Sequence, residues 1–485
     1  MSPLNLFEYT WEKPLPNSLK KDGKFETFMD DIWKARPKAE NWYSEEIDEA
    51  ETDKSKQRFI RFRSNEFSPR NYVGVIRYDN TEINLLPKIF YKDSYKENKE
   101  KPSPEEIQNI HLHILYWLSY NKKIRFPKSL SDFKSIKIEG FFEILILMFA
   151  TYTRDAMNRV LYQNYHDINQ DNQFIKGRLD VNGYIKNNIT TGNWQRITCD
   201  YDTFDIDNRF NRIIKYVSKM LLSHTENDTS QKLLYEIVFL LDDVEDVQMT
   251  YDDCEKVHLN PFYKELNAAL DYCKLFLSNS MVYSYKDEFE VFAFLLPMEK
   301  IFEDFVGGFL KENPKTENEN DSNVEIDKWN IQTQKSNVYI SEHPEKVFQM
   351  KPDIYLEKID QILIIDTKYK ILKGNDYKKG VSQGDMYQMV SYGIRYEVEK
   401  IVLLYPTTID DSTDSKNPIS EFIVKDEFAT LNPKEEIQKK QKINIRVHKL
   451  PIICEYKEHK NNYMDLKEKL DKQISTRLSK ILQKV

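Results

Sequence analysis

Asp353, Asp366 and Lys368 lie in one short segment and are of the residue types that bind a metal ion and act on a phosphate. The segment, residues 351–370, has the sequence KPDIYLEKIDQILIIDTKYK, in which two strand-like runs flank a turn at residues 359–360. Antiparallel pairing about this turn places Asp353 opposite Asp366. Two like charges in such a pair destabilise the sheet unless another charge neutralises them. The pattern therefore predicts a site for a divalent cation.

Lys368 follows Asp366 by two residues, and in a strand this spacing puts both side chains on the same side. Carboxylate oxygens in a compact pair suit magnesium, or manganese, which takes one or two carboxylates together with phosphate and water. A metal held by Asp353 and Asp366 can lower the pKa of bound water, while the Lys368 ammonium stabilises developing negative charge. The three residues thus predict metal-assisted phosphodiester hydrolysis.

An Asp-x-Lys tripeptide is also common at a solvated strand end, where an ion pair contributes little to stability. Two further features favour the active-site interpretation. The run ILII at residues 362–365 makes the strand strongly apolar, and Gln388 and Tyr392 lie one turn apart on one face of a predicted helix. We therefore predict that Gln388 and Tyr392 orient DNA or the lysine.

The elements that position these residues lie in the C-terminal part of the chain, where helix and strand patterns alternate. We predict helices over residues 297–311, 384–397 and 463–483, strands at 338–340, 353–357, 361–368 and 400–405, and a polar loop at 312–322. This order predicts a central sheet with helices packed on it.

The N-terminal part is predicted to be rich in β-structure. Residues 73–78 and 82–86 are strand-like runs separated by Asp-Asn at 79–80, a pair typical of a tight hairpin turn. The charged stretch over residues 92–106 predicts a solvated linker, and the sequence SPEE at residues 103–106 predicts the start of a helix.

The middle of the chain is predicted to be mainly helical. Helices are expected over residues 107–118, 141–162, 208–222 and 232–241, with a turn and short helix at 177–189. The apolar run ILILMFA at residues 144–150 is far shorter than the roughly 18 residues of a membrane span. It is therefore predicted to be a buried helix.

Composition and charge limit the class of protein. Charged residues make up 31% and hydrophobic residues 40% of the chain, which is typical of a folded, soluble protein. The N-terminus has no secretory-signal pattern, so we expect a cytoplasmic protein without membrane contact. The net charge of -8 argues against a free-standing, nonspecific DNA binder. DNA contact must then come from local patches or from a partner.

The cysteines and lysines give weaker indications. The four cysteines form no CxxC pair, which argues against a disulfide framework or a zinc site and predicts reduced core thiols. Two lysine clusters could contact phosphate or could form a solvated charged face. Their members are Lys370, Lys373, Lys378 and Lys379, and Lys434, Lys439, Lys440 and Lys442.

The Asp353, Asp366 and Lys368 set with its QxxxY helix resembles the PD-(D/E)xK nuclease superfamily, and the helix resembles the RecB-type subset. The resemblance implies a restriction-endonuclease-like α/β/α core, in which the two acids hold the metal and the lysine acts on the attacking water. A glutamate on the first core helix often reaches the metal in that superfamily. Glu303 is the best match, with Glu299 and Asp304 as nearby alternatives, and a solvated helix charge is an equally open role for each.

Seven short blocks that occur in the same order resemble the McrC family, which is the nuclease subunit of the bacterial modified-cytosine restriction system. The blocks are GVIRYDNTEINLLPKIF, KGRLDVNGYIKNN, DNRFNRIIKYVSKML, LPMEKIFEDFVGGFL, KPD, IIDTKYK and DMYQMVSYG. This chain differs from compact members by extra charged material at residues 40–57 and 91–106 and after Thr408.

The resemblance implies an α+β multidomain protein with a β-rich partner-docking domain (1–105), a mainly helical middle region (106–282) and a PD-(D/E)xK nuclease domain (283–485). It also implies an endonuclease that cuts double-stranded methylated DNA together with a separate AAA+ GTPase, a McrB-like subunit, whose hydrolysis it stimulates. The sequence contains no GxxxxGK[ST] phosphate-binding loop of its own. Two alternatives stay open: a catalytically degenerate subunit that activates or bridges the GTPase, and an autonomous RecB-like repair nuclease.

Overall fold

The computed structural model of the chain describes a mixed α+β protein with several sheets, which confirms the predicted fold class at that level. The described residues are 3–10, 24–35, 59–63, 66–78, 81–98, 101–121, 140–285, 289–312, 326, 329–341, 345–359, 361–372, 378–411, 418–425, 442–459 and 462–483. Contacts within the chain define two compact units, Met1–Phe141 with Asn279–Val485, and Phe142–Ser278. The domain boundaries expected at residues 105 and 282 remain a prediction.

The strands are numbered in chain order. They are β1 (Leu4–Phe7), β2 (Ile60–Arg63), β3 (Glu66–Pro69), β4 (Tyr72–Tyr78), β5 (Thr81–Leu86), β6 (Asn164–Asn172), β7 (Arg178–Leu179), β8 (Ile197–Asp205), β9 (Ser280–Tyr285), β10 (Phe289–Pro297), β11 (Asn330–Thr333), β12 (Val338–Ser341), β13 (Val347–Met350), β14 (Ile354–Lys358), β15 (Gln361–Thr367), β16 (Lys400–Pro406), β17 (Ser420–Lys425) and β18 (Lys442–Leu450).

The α-helices longer than a single turn are numbered in the same way. They are α1 (Lys24–Ala35), α2 (Asp93–Asn98), α3 (Pro104–Ser119), α4 (Phe141–Arg159), α5 (Arg209–Leu222), α6 (Asp228–Leu240), α7 (Tyr251–Glu255), α8 (Leu266–Asn279), α9 (Met298–Glu312), α10 (Gln383–Arg395) and α11 (Tyr463–Gln483).

The N-terminal sheet has the strand order β1-β5-β4-β10-β9. Strands β4 and β5 pair antiparallel up to Tyr78 opposite Thr81, as the predicted hairpin requires, while the turn residues 79–80 lie outside the described part. Strands β9 and β10, which follow some 200 residues later, complete the sheet by pairing β10 with β4. At Gly74, with φ +140°, any Cβ would collide with the carbonyl of Phe294, so only glycine allows this pairing.

The catalytic candidates lie on a second sheet, with the order β11-β14-β15-β16-β18-β17. Strands β14 and β15 form an antiparallel hairpin from Ile354 opposite Ile365 to Lys358 opposite Gln361. This register confirms the prediction from the turn at residues 359–360, of which residue 360 is outside the described part. Strands β15, β16 and β18 are parallel, and β17 pairs antiparallel with β18.

Both faces of this sheet are buried. Ile364, Leu403 and Ile445 pack with Met389 and Tyr392 of α10 in one core cluster. Side chains of neighbouring strand positions point to the opposite face. They are buried as well, as Leu363, Ile365, Val402 and Leu404 illustrate. Helix α9 packs against β15, so the strand that carries Asp366 runs through the interior of the unit.

Helix α3 begins where the sequence predicted. Ser103 caps it, with the Glu106 backbone N–H donating to the Ser103 side chain and the Glu106 carboxylate accepting from the Ser103 backbone N–H. The helix packs with elements far along the chain, because the Tyr116 hydroxyl donates to Asp471 of α11 over 2.8 Å and the Trp117 indole N–H donates to the Ile452 carbonyl over 3.1 Å. Helix α3 therefore supports the sheet of the candidate site.

The second compact unit contains the predicted helices, now α4 to α6, but also a three-stranded sheet of order β6-β8-β7. The prediction of a mainly helical middle region did not include this sheet. All four cysteines of the chain are buried free thiols, as predicted.

Several local predictions are settled differently. The solvated linker predicted at residues 92–106 is wrong over Asp93–Asn98, where α2 forms. The extra segment 40–57, the loop residues 313–322 and the lysines at 373, 434, 439 and 440 lie outside the described part of the chain. Within the described ranges, no helix combines the length and apolar character that a membrane crossing needs.

Candidate active site

Asp353 and Asp366 lie at the same end of the β14–β15 hairpin. Asp366 is the penultimate residue of β15 and is only 1% exposed, while Asp353 directly precedes β14. The carboxylate of Asp353 accepts two hydrogen bonds from Thr367, one from the backbone N–H and one from the hydroxyl, each 2.7 Å long. The hairpin register thus brings the two acids together, as the sequence predicted.

Lys368 joins the acids to the predicted helix. Its Nζ lies 2.7 Å from Asp366 Oδ2 and donates to Gln388 Oε1 over 3.0 Å. The Gln388 amide donates to the Tyr392 hydroxyl over 3.0 Å, and that hydroxyl donates to the Lys351 carbonyl over 3.0 Å. Gln388 and Tyr392 therefore form a chain of hydrogen bonds that fixes the lysine ammonium against Asp366.

Of the three candidate acids on α9, Glu303 is the one that faces this cluster. Its charge raises the pKa of both Asp353 and Asp366. The Glu303 carboxylate accepts from Lys300 Nζ at 2.9 and 3.0 Å and from the Gln334 amide at 2.6 Å. The competing acids point elsewhere, because Asp304 accepts from Asn121 over 3.2 Å and Glu299 acts on Glu8 and Lys88.

The electrostatics of the cluster favour added positive charge. Burial raises the pKa of Asp353 well above its ordinary value, and the charges of Asp366 and Glu303 raise it further. Burial also raises the pKa of Asp366, against the lowering effect of Lys368. For Lys368, burial alone would lower the pKa, but Asp366 and Asp353 outweigh it and hold the ammonium in its charged form.

A divalent cation fits this set of donors. Across the described residues, no group of three or more His, Cys, Asp or Glu side chains is arranged to hold a metal ion. The site instead offers the pair Asp353 and Asp366, and magnesium commonly takes one or two carboxylates and completes its shell with phosphate and water. Two buried, mutually repelling carboxylates with one lysine nearby are the chemistry that such an ion compensates.

The structure adds residues that the sequence prediction missed. Asp385 in the first turn of α10 is buried, accepts from Lys370 Nζ at 2.8 and 2.9 Å, and acts electrostatically on Asp366 and Lys368. Its position three residues before Gln388, on the same helix face, was the available signal. Thr367 bonds to Asp353 and Lys300 bonds to Glu303. Their local sequence gave no signal, because Thr367 looks like any strand residue and Lys300 like any lysine on a helix surface.

A known protein family matches most of the chain. A model of the family described as McrBC 5-methylcytosine restriction system component matches residues 68–406. A search of curated proteins finds no match.

Two solved structures are similar to the chain. One is a chain of the refined half-complex from a tetradecameric assembly of Thermococcus gammatolerans McrB AAA+ hexamers with bound McrC, with a TM-score of 0.65 at 18% identity over 99% of this chain and 100% of that chain. The other is a chain of the cryo-EM structure of the Thermococcus gammatolerans McrBC complex, with a TM-score of 0.48 at 18% identity over 64% of this chain and 88% of that chain. At such identity, the first likeness establishes the fold.

Proposed function

We propose that this chain, which belongs to the McrBC 5-methylcytosine restriction system component family, is the McrC-type subunit that cuts DNA. The observation that carries the proposal is the convergence of Asp353, Asp366 and Lys368 at one end of the β14–β15 hairpin. The reaction is hydrolysis of a phosphodiester bond in duplex DNA that carries methylated cytosine. The site corresponds to a PD-(D/E)xK core in which Asp353 follows Pro352 and Lys368 follows Asp366 by two residues.

Each residue has a distinct part in the reaction. Asp353 and Asp366 would hold magnesium or manganese, with Glu303 as a further acid at the same site. When bound, the metal supplies positive charge that polarises the phosphate and acidifies water. Lys368, held in its charged form by Asp366, orients the attacking water and stabilises the charge that develops on the phosphate. Gln388 keeps the lysine directed at the site, and Tyr392 fixes Gln388.

The partner we propose is an AAA+ GTPase of the McrB type. The similar structure is an assembly of McrB AAA+ hexamers with bound McrC, and its matching chain is covered over its whole length. The acidic net charge of -8 supports the same division of labour, since a partner that grips DNA spares this chain the phosphate-binding surface that a nonspecific binder needs. This chain would stimulate GTP hydrolysis by the partner and would cut the DNA that the partner supplies.

The test is cleavage of a methylated plasmid by the chain with its partner, GTP and magnesium. We expect Asp366→Ala and Lys368→Ala to abolish cutting and to leave GTPase stimulation unchanged. Asp252→Ala, which removes an exposed acid in the other compact unit, is the matched control and should cut normally. Cutting by Asp366→Ala at the rate of the unaltered protein would overturn the assignment of the site.

The same assay separates the two alternatives. GTPase stimulation without any metal-dependent nicking by the unaltered complex would identify a degenerate activating subunit. Efficient cutting of unmethylated DNA by the isolated chain would identify an autonomous repair-type nuclease. The intact set of two acids and a lysine, linked to Gln388, favours the cutting subunit over the degenerate one.

A further inference from the structure

Tyr369, the residue directly after Lys368, is held by two side chains from the N-terminal sheet. Its hydroxyl donates to Glu8 Oε2 over 2.9 Å. Lys88 Nζ donates to the Tyr369 carbonyl over 2.8 Å and lies 4.3 Å from the centre of the Tyr369 ring. Tyr369, which adjoins the catalytic lysine, is therefore held at three points: a hydrogen bond from its side chain, a hydrogen bond to its backbone carbonyl, and a cation over its ring face.

Glu8 and Lys88 are themselves fixed to the N-terminal sheet. Glu8 follows β1, and its backbone N–H donates to the Leu86 carbonyl over 2.9 Å. The backbone N–H of Lys88 donates to the same Glu8 oxygen that accepts from Tyr369, over 3.0 Å. Glu8 is 1% exposed and Lys88 9% exposed. The two side chains therefore connect the ends of β1 and β5 to Tyr369, which lies two residues after β15.

The backbone turns at Tyr369. Lys368 extends the pairing of β15 by donating its backbone N–H to the Leu404 carbonyl over 2.9 Å. Two residues later, the Lys370 N–H donates back to the Lys368 carbonyl over 2.8 Å, which closes a three-residue turn with Tyr369 at its corner. The direction in which Lys368 leaves the strand depends on this turn, and the turn depends on how its corner residue is held.

The composition of this connection is costly in stability. A carboxyl and an ammonium are buried where apolar side chains would pack more favourably. Burial raises the pKa of Glu8 to about 7 and lowers the pKa of Lys88. In some proteins, polar groups buried at such cost specify one arrangement of the chain. Here the buried pair contacts the corner residue of the turn beside Lys368.

We propose that Glu8 and Lys88 are positioning residues, which act through Tyr369 to direct Lys368 into the active site. The N-terminal sheet then supports the catalytic centre. This inference rests on the proposed function, because it assigns the lysine a catalytic task.

The test compares plasmid cleavage by complexes of the full chain with its partner. Tyr369→Phe removes only the hydrogen bond to Glu8, and Glu8→Leu removes the acceptor for both Tyr369 and Lys88. We expect each to lower kcat by roughly five- to tenfold, the effect of losing about one buried hydrogen bond, and to leave KM within twofold. Glu8→Gln keeps an acceptor oxygen in place and should restore most of the rate.

Tyr9→Phe is the matched control, since Tyr9 also lies against Lys88 but its hydroxyl bonds to Asn71. It should leave kcat unchanged. Equal kcat for Tyr369→Phe and the unaltered protein would overturn the inference, and so would equal losses from Glu8→Gln and Glu8→Leu. If Glu8→Leu does not fold, the Tyr369→Phe and Glu8→Gln pair decides alone. Failure of the unaltered complex to cut would instead refute the proposed function.

Discussion

Replacing Glu8 by glutamine should change how the stability of the protein depends on pH. Glu8 is fully buried, and this burial raises its pKa from 4.5 to about 7, although Lys88 and Tyr369 act in the opposite direction. An acid whose pKa is raised by folding binds more protons in the folded state than in the unfolded state between those two values. The free energy of unfolding therefore falls as the pH rises through this window. Glutamine does not titrate and has no such dependence.

The magnitude follows from the size of the shift. Each pKa unit corresponds to roughly 1.4 kcal/mol, so the rise from 4.5 to about 7 costs the unaltered protein roughly 3 kcal/mol of stability once Glu8 is fully ionised. The quantity to measure is the difference in unfolding free energy between the unaltered protein and Glu8→Gln, from urea titrations at pH 5, 6.5 and 8. The buried acids Asp353 and Asp366 are present in both proteins, so their effects cancel in this difference.

We expect the difference to shift by roughly 2.5 kcal/mol in favour of Glu8→Gln between pH 5 and pH 8, since a small part of the effect is already present at pH 5. Glu468→Gln, which removes an exposed carboxylate on α11, should show a nearly constant difference over the same range. A constant difference for Glu8→Gln as well would refute the argument that Glu8 is buried with a raised pKa. The reasoning about the connection to Tyr369 would then lose its energetic support.

Two further predictions concern the sheet and its packing. In the presence of a chelator, Asp366→Asn should have a higher melting temperature than the unaltered protein, because the substitution removes a buried negative charge beside Asp353. We expect magnesium to stabilise the unaltered protein further and to have no such effect on Asp366→Asn. A melting temperature that responds equally to magnesium in both proteins would contradict the metal site. Gly308→Ala should lower the free energy of unfolding measured in urea titrations by roughly 2 kcal/mol, since a Cβ there would collide with the Tyr120 carbonyl. Gly384→Ala is the control, because no atom lies within 4 Å of the added Cβ.

Elements with strong local signals could be predicted from the sequence. The turn at residues 359–360 fixed the register of β14 and β15, because a two-residue connection leaves one pairing that keeps the apolar side chains on the buried faces. The SPEE sequence marked the start of α3, and the spacing of leucines and isoleucines marked α11 over Tyr463–Gln483. In each case the residues that determine the element lie within the element itself.

Long-range partners could not be predicted in this way. Nothing in the sequence of β10 indicates that Phe292 pairs with Arg77 of β4, since the choice among exposed strand edges depends on the rest of the fold. The polar strands β6 and β8 lack the alternation that reveals a half-buried strand. The sequence of α3 is that of an ordinary amphipathic helix, and it does not indicate that Tyr116 bonds to Asp471.

Buried charges were missed for a related reason. Glu8, Lys88 and Asp385 belong to residue types that are almost always exposed, so a sequence gives no cause to place them inside. Their partners are separated from them by tens to hundreds of residues, as with Glu8 and Tyr369. The acids of the candidate site were accessible to prediction because the turn at residues 359–360 sets their register and because their spacing to Lys368 resembles a known motif.

The arrangement of these buried charges explains how a site that opposes folding can be held in one geometry. Asp353 and Asp366 repel each other in a buried position, and the hydrogen bonds from Thr367 and the ammonium of Lys368 offset that repulsion. Relaxation of the acids would require movement of β15 or of the turn after it. Movement of β15 is opposed by its buried neighbours. Movement of the turn is opposed by the hydrogen bonds that Tyr369 makes with Glu8 and Lys88. Strain that cannot relax through the protein would be relieved by a divalent cation, which the proposed metal-dependent hydrolysis also requires.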